Sequence, residues 1–251
     1  NLELNSRKLL GDNHNDITDT KYGNNNVIGP DKEEAKHGTH VAGIIVKSFG
    51  KNNNSNTSNI QIMAVRAVPD GDEYDKDIAL AIRYAADNGA KVINTSFGKE
   101  FSPKKEWVFE AIKYAASKDV LIVNAAGNDT YNIDEIPVYP NDADYANNIE
   151  ISDNFLTVGA LNYVYGSELL AEFSNYGKVH VDVFAPGVKI YATTPNNEYE
   201  FLSGTSMAAP SVAGVAALIR SYYPTLTAVQ VKQIIMESGT PLKNQVVIGE
   251  D

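Results

Sequence analysis

Three polar residues in this chain are placed where a side chain could do acyl-transfer chemistry. Ser206 follows Ser203-Gly204-Thr205 and opens an apolar run from Met207 to Tyr223. The pattern is a tight turn followed by a buried, slim-surfaced helix. A hydroxyl there meets free backbone N–H groups and the positive end of a helix dipole, so it could attack a carbonyl and have the resulting oxyanion stabilised. A serine before a helix also serves as a simple N-cap, and the stretch alone does not separate the two roles. Pro210 is read as a first-turn proline, where its missing N–H costs little. His37 opens a second glycine-started helix, His37-Gly38-Thr39-His40-Val41-Ala42-Gly43. Histidine titrates near neutrality and can take a proton from a serine. Asn128 ends Ala125-Ala126-Gly127-Asn128 after an apolar run, where it is either a turn residue or an N–H donor.

The rest of the chain supplies a scaffold for these groups. Its 251 residues suit one large α/β domain. Residues 1–36 are asparagine-rich and read as loop, with Val27-Ile28 as a short strand, and 37–238 form the core. Strands are expected over Ile60–Val68, Lys91–Thr95, Val120–Asn124, Phe155–Leu161, Val179–Phe184 and Val188–Thr194, with Glu198–Leu202 leading into the serine turn. Helices are expected over Asp75–Asn88, Pro103–Lys118 and, capped by Thr227, up to Glu237. Alternating strand and helix implies a three-layer α/β/α fold with a mostly parallel sheet.

The net charge of −11 argues against nucleic acid and anionic membranes as partners. No run is long enough to span a bilayer. The chain has no cysteine, which excludes thiol chemistry and disulfides. Residues 129–154 carry seven acids without a lysine or arginine and read as an acidic excursion. His40, one helical turn from His37, reads as a hydrogen-bonded packing residue; a zinc site has no supporting carboxylate or cysteine spacing. His14 and His180 read as exposed.

The stretches H-G-T-H-V-A-G at His37 and G-T-S-M-A-A-P at Gly204 resemble the two signature motifs of the subtilase family, the subtilisin-like serine proteases, in that family's chain order. The resemblance spans about residues 37–238 and implies a serine endopeptidase that cleaves polypeptides through an acyl-enzyme. It implies Ser206 as nucleophile, His37 as general base and Asn128 as oxyanion donor. It also implies a specificity slot between Ser96-Phe97-Gly98 and Ala126-Gly127, with Asp129 at its rim, and secretion or an extracytoplasmic location. The small residues of both walls suggest a roomy slot for a large side chain. Val68–Tyr74, with Asp70, Asp72 and Glu73, resembles the substrate-pairing edge.

The family's third catalytic residue, an aspartate ending an apolar strand, has no match in the 36 residues before His37; Asp12, Asp16 and Asp19 lack that context. The expectation is that the aspartate lies outside this chain, on an N-terminal segment removed by truncation or held as a separate piece after a nick. The alternative is a catalytically dead peptide-binding or scaffold protein that keeps the fold. An α/β-hydrolase esterase is excluded, since Gly204-Thr205-Ser206-Met207-Ala208 is not a G-x-S-x-G elbow. No metal or other cofactor is expected; calcium would be the family's usual ion, yet Lys51–Asn59 lacks a calcium-loop pattern.

Overall fold

The computed structural model describes residues 11–48, 60–68, 73–147 and 149–241. Helix α1 spans Lys36–Lys47, α2 Asp75–Asp87, α3 Lys105–Ser117, α4 Thr205–Tyr222 and α5 Ala228–Ser238. The strands are β1 Val92–Thr95, β2 Leu121–Ala125, β3 Ala143–Asp144, β4 Ile149–Glu150, β5 Phe155–Leu161, β6 Val183–Pro186, β7 Ile190–Thr194 and β8 Glu198–Leu202. The main sheet runs β1-β2-β5-β6, all parallel. Two small antiparallel pairs, β3-β4 and β7-β8, stand beside it.

Side-chain alternation along β2 and β5 builds the three layers. Leu121, Val123, Leu156 and Val158 face Ala208, Val212 and Ala216 of α4. Their neighbours Ile122 and Phe155 face Ile78 and Ile82 of α2 and Val108 and Ile112 of α3. Both strands are buried along almost their whole length, as a parallel sheet covered on each side requires. Each fully buried branched residue contributes about 1.5–3 kcal/mol.

Close helix contacts fix the remaining layer. A Cβ on Gly214 of α4 would lie 2.5 Å from Ser48 Oγ, just past the end of α1. A Cβ on Gly43 of α1 would lie 2.2 Å from Thr193 Oγ1 in β7, and that hydroxyl bonds the Thr39 carbonyl at 3.2 Å. The α5 start carries a complete capping box, with Thr227 and Gln230 each satisfying the other's backbone N–H.

Two expected strands are not formed. Val27 and Ile28 lie exposed in a loop. Residues 60–68 form no strand, and Ile62, Met63 and Val65 are exposed. Their apolar content suits a sheet, but a strand exists only through a partner ladder. Among the described residues β1 pairs on one side alone, with β2. The strand expected at Val179–Phe184 begins four residues later, because Asp134 takes up the backbone N–H groups of Lys178, Val179 and His180 instead.

Candidate active site

The predicted site residues gather at the carboxyl ends of the parallel strands, where α/β sheets place their clefts. Ser96–Gly98 follow β1, Ala126–Asp129 follow β2, and Gly187 follows β6. Gly204 donates its N–H to the Gly187 carbonyl at 2.8 Å, which pins the turn ahead of α4. Gly204 has φ +154°, a conformation that side chains disfavour.

Ser206 is the second residue of α4. Its Oγ donates to the Ser96 carbonyl at 3.2 Å. Asn128 is tied to the same helix start: its Oδ1 accepts from Thr205 N at 2.8 Å and from Thr205 Oγ1 at 3.0 Å. With the oxygen so held, the amide nitrogen is left as the outward donor. A Cβ on Gly204 would sit 3.7 Å from Ser206 N and 3.8 Å from Asn128 Nδ2, so both nitrogens border one small space. Thr205, fully buried, also accepts from Gly127 N at 3.1 Å. Thr205 was not singled out from sequence, although it lies inside the serine motif.

His37 lies in the first turn of α1 and is exposed to solvent. Neighbouring protein that partly desolvates the ring, and to a lesser degree the charge of His40, lower its pKa from the ordinary histidine value. No carboxylate among the described residues contributes to that shift. Among the described residues, no hydrogen bond joins His37 to Ser206 or to any acid. Asp12 and Asp19 lie instead with the buried ammonium of Lys76, Asp12 in direct contact and Asp19 at 3.7 Å. Asp16 accepts from Thr18. His40 is fully buried and its Nε2 donates to the Glu200 carbonyl at 3.1 Å, the packing role read from sequence. His14 is exposed, but His180 is buried, contrary to expectation, and packs on Tyr145 with ring centroids 5.1 Å apart. Val179, Val181 and Val183 alternate around it, and a period-2 reading puts His180 on the face opposite those valines.

Val138 stands against the Gly98 wall of the expected slot. Val138 Cγ1 lies 3.6 Å from where a Cβ on Gly98 would be, and it packs with Ala126 and Ile133. Lys99 and Tyr139 exchange backbone hydrogen bonds of 2.9 and 2.8 Å, fixing Val138 against the Gly98 wall. Behind Ala126 and Val138 lies a cavity with about 10 Å³ of room for a water's centre, bordered by Asp142, Tyr145, Thr157 and His180.

The acidic excursion does not present a row of free charges. Asp134 is spent on backbone N–H groups, as described. Glu150 accepts from Lys232 Nζ at 2.9 Å, and Asp182 lies 3.2 Å from the same ammonium. Burial, and then the charge of Glu150, push the Asp142 carboxyl up to about 8. Asp129 and the adjoining Asn128 and Thr130 remain exposed. Asp70, Asp72 and the stretch Lys51–Asn59 lie outside the described residues.

Comparison with known proteins bears on this arrangement. The model of the subtilase family of peptidases matches residues 4–248. The chain is 42% identical over 191 residues to the thermophilic serine proteinase of Bacillus sp. (strain AK1), covering 74% of this chain and 42% of that protein. It is 34% identical over 218 residues to subtilisin DY of Bacillus licheniformis, covering 85% and 74%. A solved structure of a cold-adapted subtilisin-like serine proteinase superposes with a TM-score of 0.64 at 31% identity, over 80% of this chain and 67% of that one. The chain thus spans less than half of the first relative and about three quarters of the second.

Proposed function

Because this chain belongs to the subtilase family, we propose that it is a serine endopeptidase acting on polypeptides. Ser206 is the nucleophile, His37 the general base, and Asn128 Nδ2 with the Ser206 N–H forms the oxyanion hole. The observation that carries this reading is the anchoring of Asn128 by Thr205, which leaves both N–H donors bordering the space over Gly204.

The chemistry follows from that arrangement. Ser206 Oγ bonds to the substrate's carbonyl carbon as its proton passes to His37. The carbonyl electron pair moves onto oxygen, where the two N–H groups hold it. Collapse breaks the C–N bond, and the departing amine takes the proton from His37. Water then attacks the Ser206 ester by the same route and releases the acid. Ser96, Phe97, Gly98, Ala126 and Gly127 flank the substrate residue before the cleaved bond, with Asp129 at the rim.

The orienting carboxylate for His37 comes from beyond the described residues, on a segment that also pairs with the free side of β1. Support comes from the absence, among the described residues, of an acid at His37 and from the side of β1 that pairs with no described strand. The name of one relative, the cell wall-associated protease of Bacillus subtilis (strain 168), agrees with action outside the cytoplasm. Among the described residues, no helix is long and apolar enough to cross a membrane.

A second reading, a peptide binder without turnover, has one observation in its favour: the Ser206 hydroxyl is turned to the Ser96 carbonyl, not to His37. Labelling with a fluorophosphonate separates the two. Covalent modification of Ser206, abolished by Ser206→Ala, supports the enzyme. Peptide binding without labelling, in protein that contains the orienting segment, supports the binder.

A further inference from the structure

The oxyanion arm has no lattice of its own. Asn128 is exposed, and β2 has ended three residues earlier at Ala125. The segment around it is instead gripped by one side chain from the loop between β5 and β6. Asn175 is fully buried. Its Nδ2 donates to the Ala126 carbonyl at 2.9 Å. Its Oδ1 accepts from Asp129 N at 2.9 Å and from Tyr131 N at 2.9 Å. Its own backbone N–H donates to the Gly127 carbonyl at 3.0 Å. These four bonds hold the residues on both sides of Asn128 and leave Asn128 itself untouched. The contact is tight: a Cβ on Gly127, whose φ is +106°, would fall 2.2 Å from Asn175 Nδ2.

We infer that Asn175 is a positioning residue for the oxyanion donor, acting through Asn128; the inference rests on the assignment of Asn128 above. An oxyanion hole works because its donors are already aimed when charge develops on the substrate oxygen. An exposed carboxamide on an irregular segment loses that advantage if its backbone can drift, because small displacements of a donor are costly. Thr205 fixes only the oxygen end of Asn128. Asn175 supplies the other constraint, as the ladder of a continuing strand would, while allowing the chain to turn toward the cleft. The chemistry requires an amide at this position. A carboxylate would accept from Asp129 and Tyr131 but would face the Ala126 carbonyl as a second acceptor.

A double-mutant cycle in the natural full-length protein tests the inference. Labelling of wild-type Ser206 by a fluorophosphonate is checked first, so that a failure of the catalytic assignment is separately visible. Asn175→Asp is then compared with wild type, and Asn175→Asp/Asn128→Ala with Asn128→Ala, by kcat and KM on a peptide anilide. The expected result is a kcat loss of about tenfold or more in the wild-type background with KM changed less than about threefold, and a further loss below about threefold once Asn128 is gone. Equal kcat losses in the two backgrounds would mark Asn175 as a general staple and overturn the inference, as would an unchanged kcat in the folded single variant. Asn175→Ser, which keeps an acceptor and removes the carboxylate's charge, runs through the same cycle should the Asp variant not fold.

Discussion

Ser96 and Ser206 exchange hydrogen bonds. Ser96 Oγ donates to the Ser206 carbonyl at 3.0 Å, and Ser206 Oγ donates to the Ser96 carbonyl at 3.2 Å. The first bond answers a defect in α4. Pro210 is the sixth residue of that helix, not a first-turn residue as its position near the serine suggested, so it withholds the N–H that the Ser206 carbonyl would otherwise receive. Ser96, from the wall of the proposed slot, thereby completes the helix that carries Ser206, the proposed nucleophile.

Ser96→Ala should therefore destabilise the fold. It strands the Ser206 carbonyl without a donor, a loss of about 1–3 kcal/mol for a buried polar group. Urea unfolding should show a lower midpoint with an unchanged slope. An unaltered midpoint would mean that water replaces the hydroxyl at no cost.

His37 should titrate below the ordinary histidine range in this chain, since partial desolvation, helped by the His40 charge, favours the neutral ring. The ring is thus neutral through neutral pH and charges only as the pH falls further. A carboxylate placed beside it would favour the charged form and raise its pKa. Histidine NMR titration of this chain, then of protein containing the orienting segment, should show that upward move. Identical titrations would sink the proposal that an acid is supplied from outside the described residues.

Val138 should limit the size of the substrate side chain in the slot, because its Cγ1 occupies space against the Gly98 wall. Val138→Ala is expected to raise kcat/KM for phenylalanine relative to alanine before the cleaved bond, by the roughly 1–3 kcal/mol that a pocket methylene commands. No change in the ratio would return the slot to the roomier form its glycines and alanines suggested.

Asp142 should make stability fall with rising pH. Its pKa is raised to about 8 in the fold, above the ordinary 3.8, so the folded protein holds a proton that the unfolded chain has lost. The stabilisation is complete below about 3.8 and is lost progressively as pH rises to about 8. Its slope reaches at most about 1.4 kcal/mol per pH unit. Asp142→Asn, neutral at every pH, should gain stability over wild type as pH rises from 5 to 8, read by denaturant unfolding. A constant difference between the two proteins would show that Asp142 ionises normally.

Most of the scaffold was legible because local pattern and tertiary role agree. The α2, α3 and α5 spans, the Thr227 cap and β5 follow from apolar period and capping chemistry. The candidate site residues were legible as motifs, since Ser206, His37 and Asn128 each stand at an element boundary. Asn175 and Thr205 were not, because their roles lie in hydrogen bonds to residues distant in the chain. The failures share a cause. Residues 60–68 have strand composition without a partner ladder, and the acids of the excursion look free in sequence but find Lys232 or backbone N–H groups in space.

The absent side chain at Gly214 has a consequence far from the cleft. His37 rides on α1 and Ser206 on α4, and the two helices meet where Gly214 admits Ser48. The spacing of His37 and Ser206, the proposed base and nucleophile, thus depends in part on a contact that touches neither. A single methyl group added there would act as a shim: it would leave each motif whole while spreading the pair apart. Variation in catalytic competence among such chains can accordingly arise from spacer residues that no inspection of the reacting groups would flag.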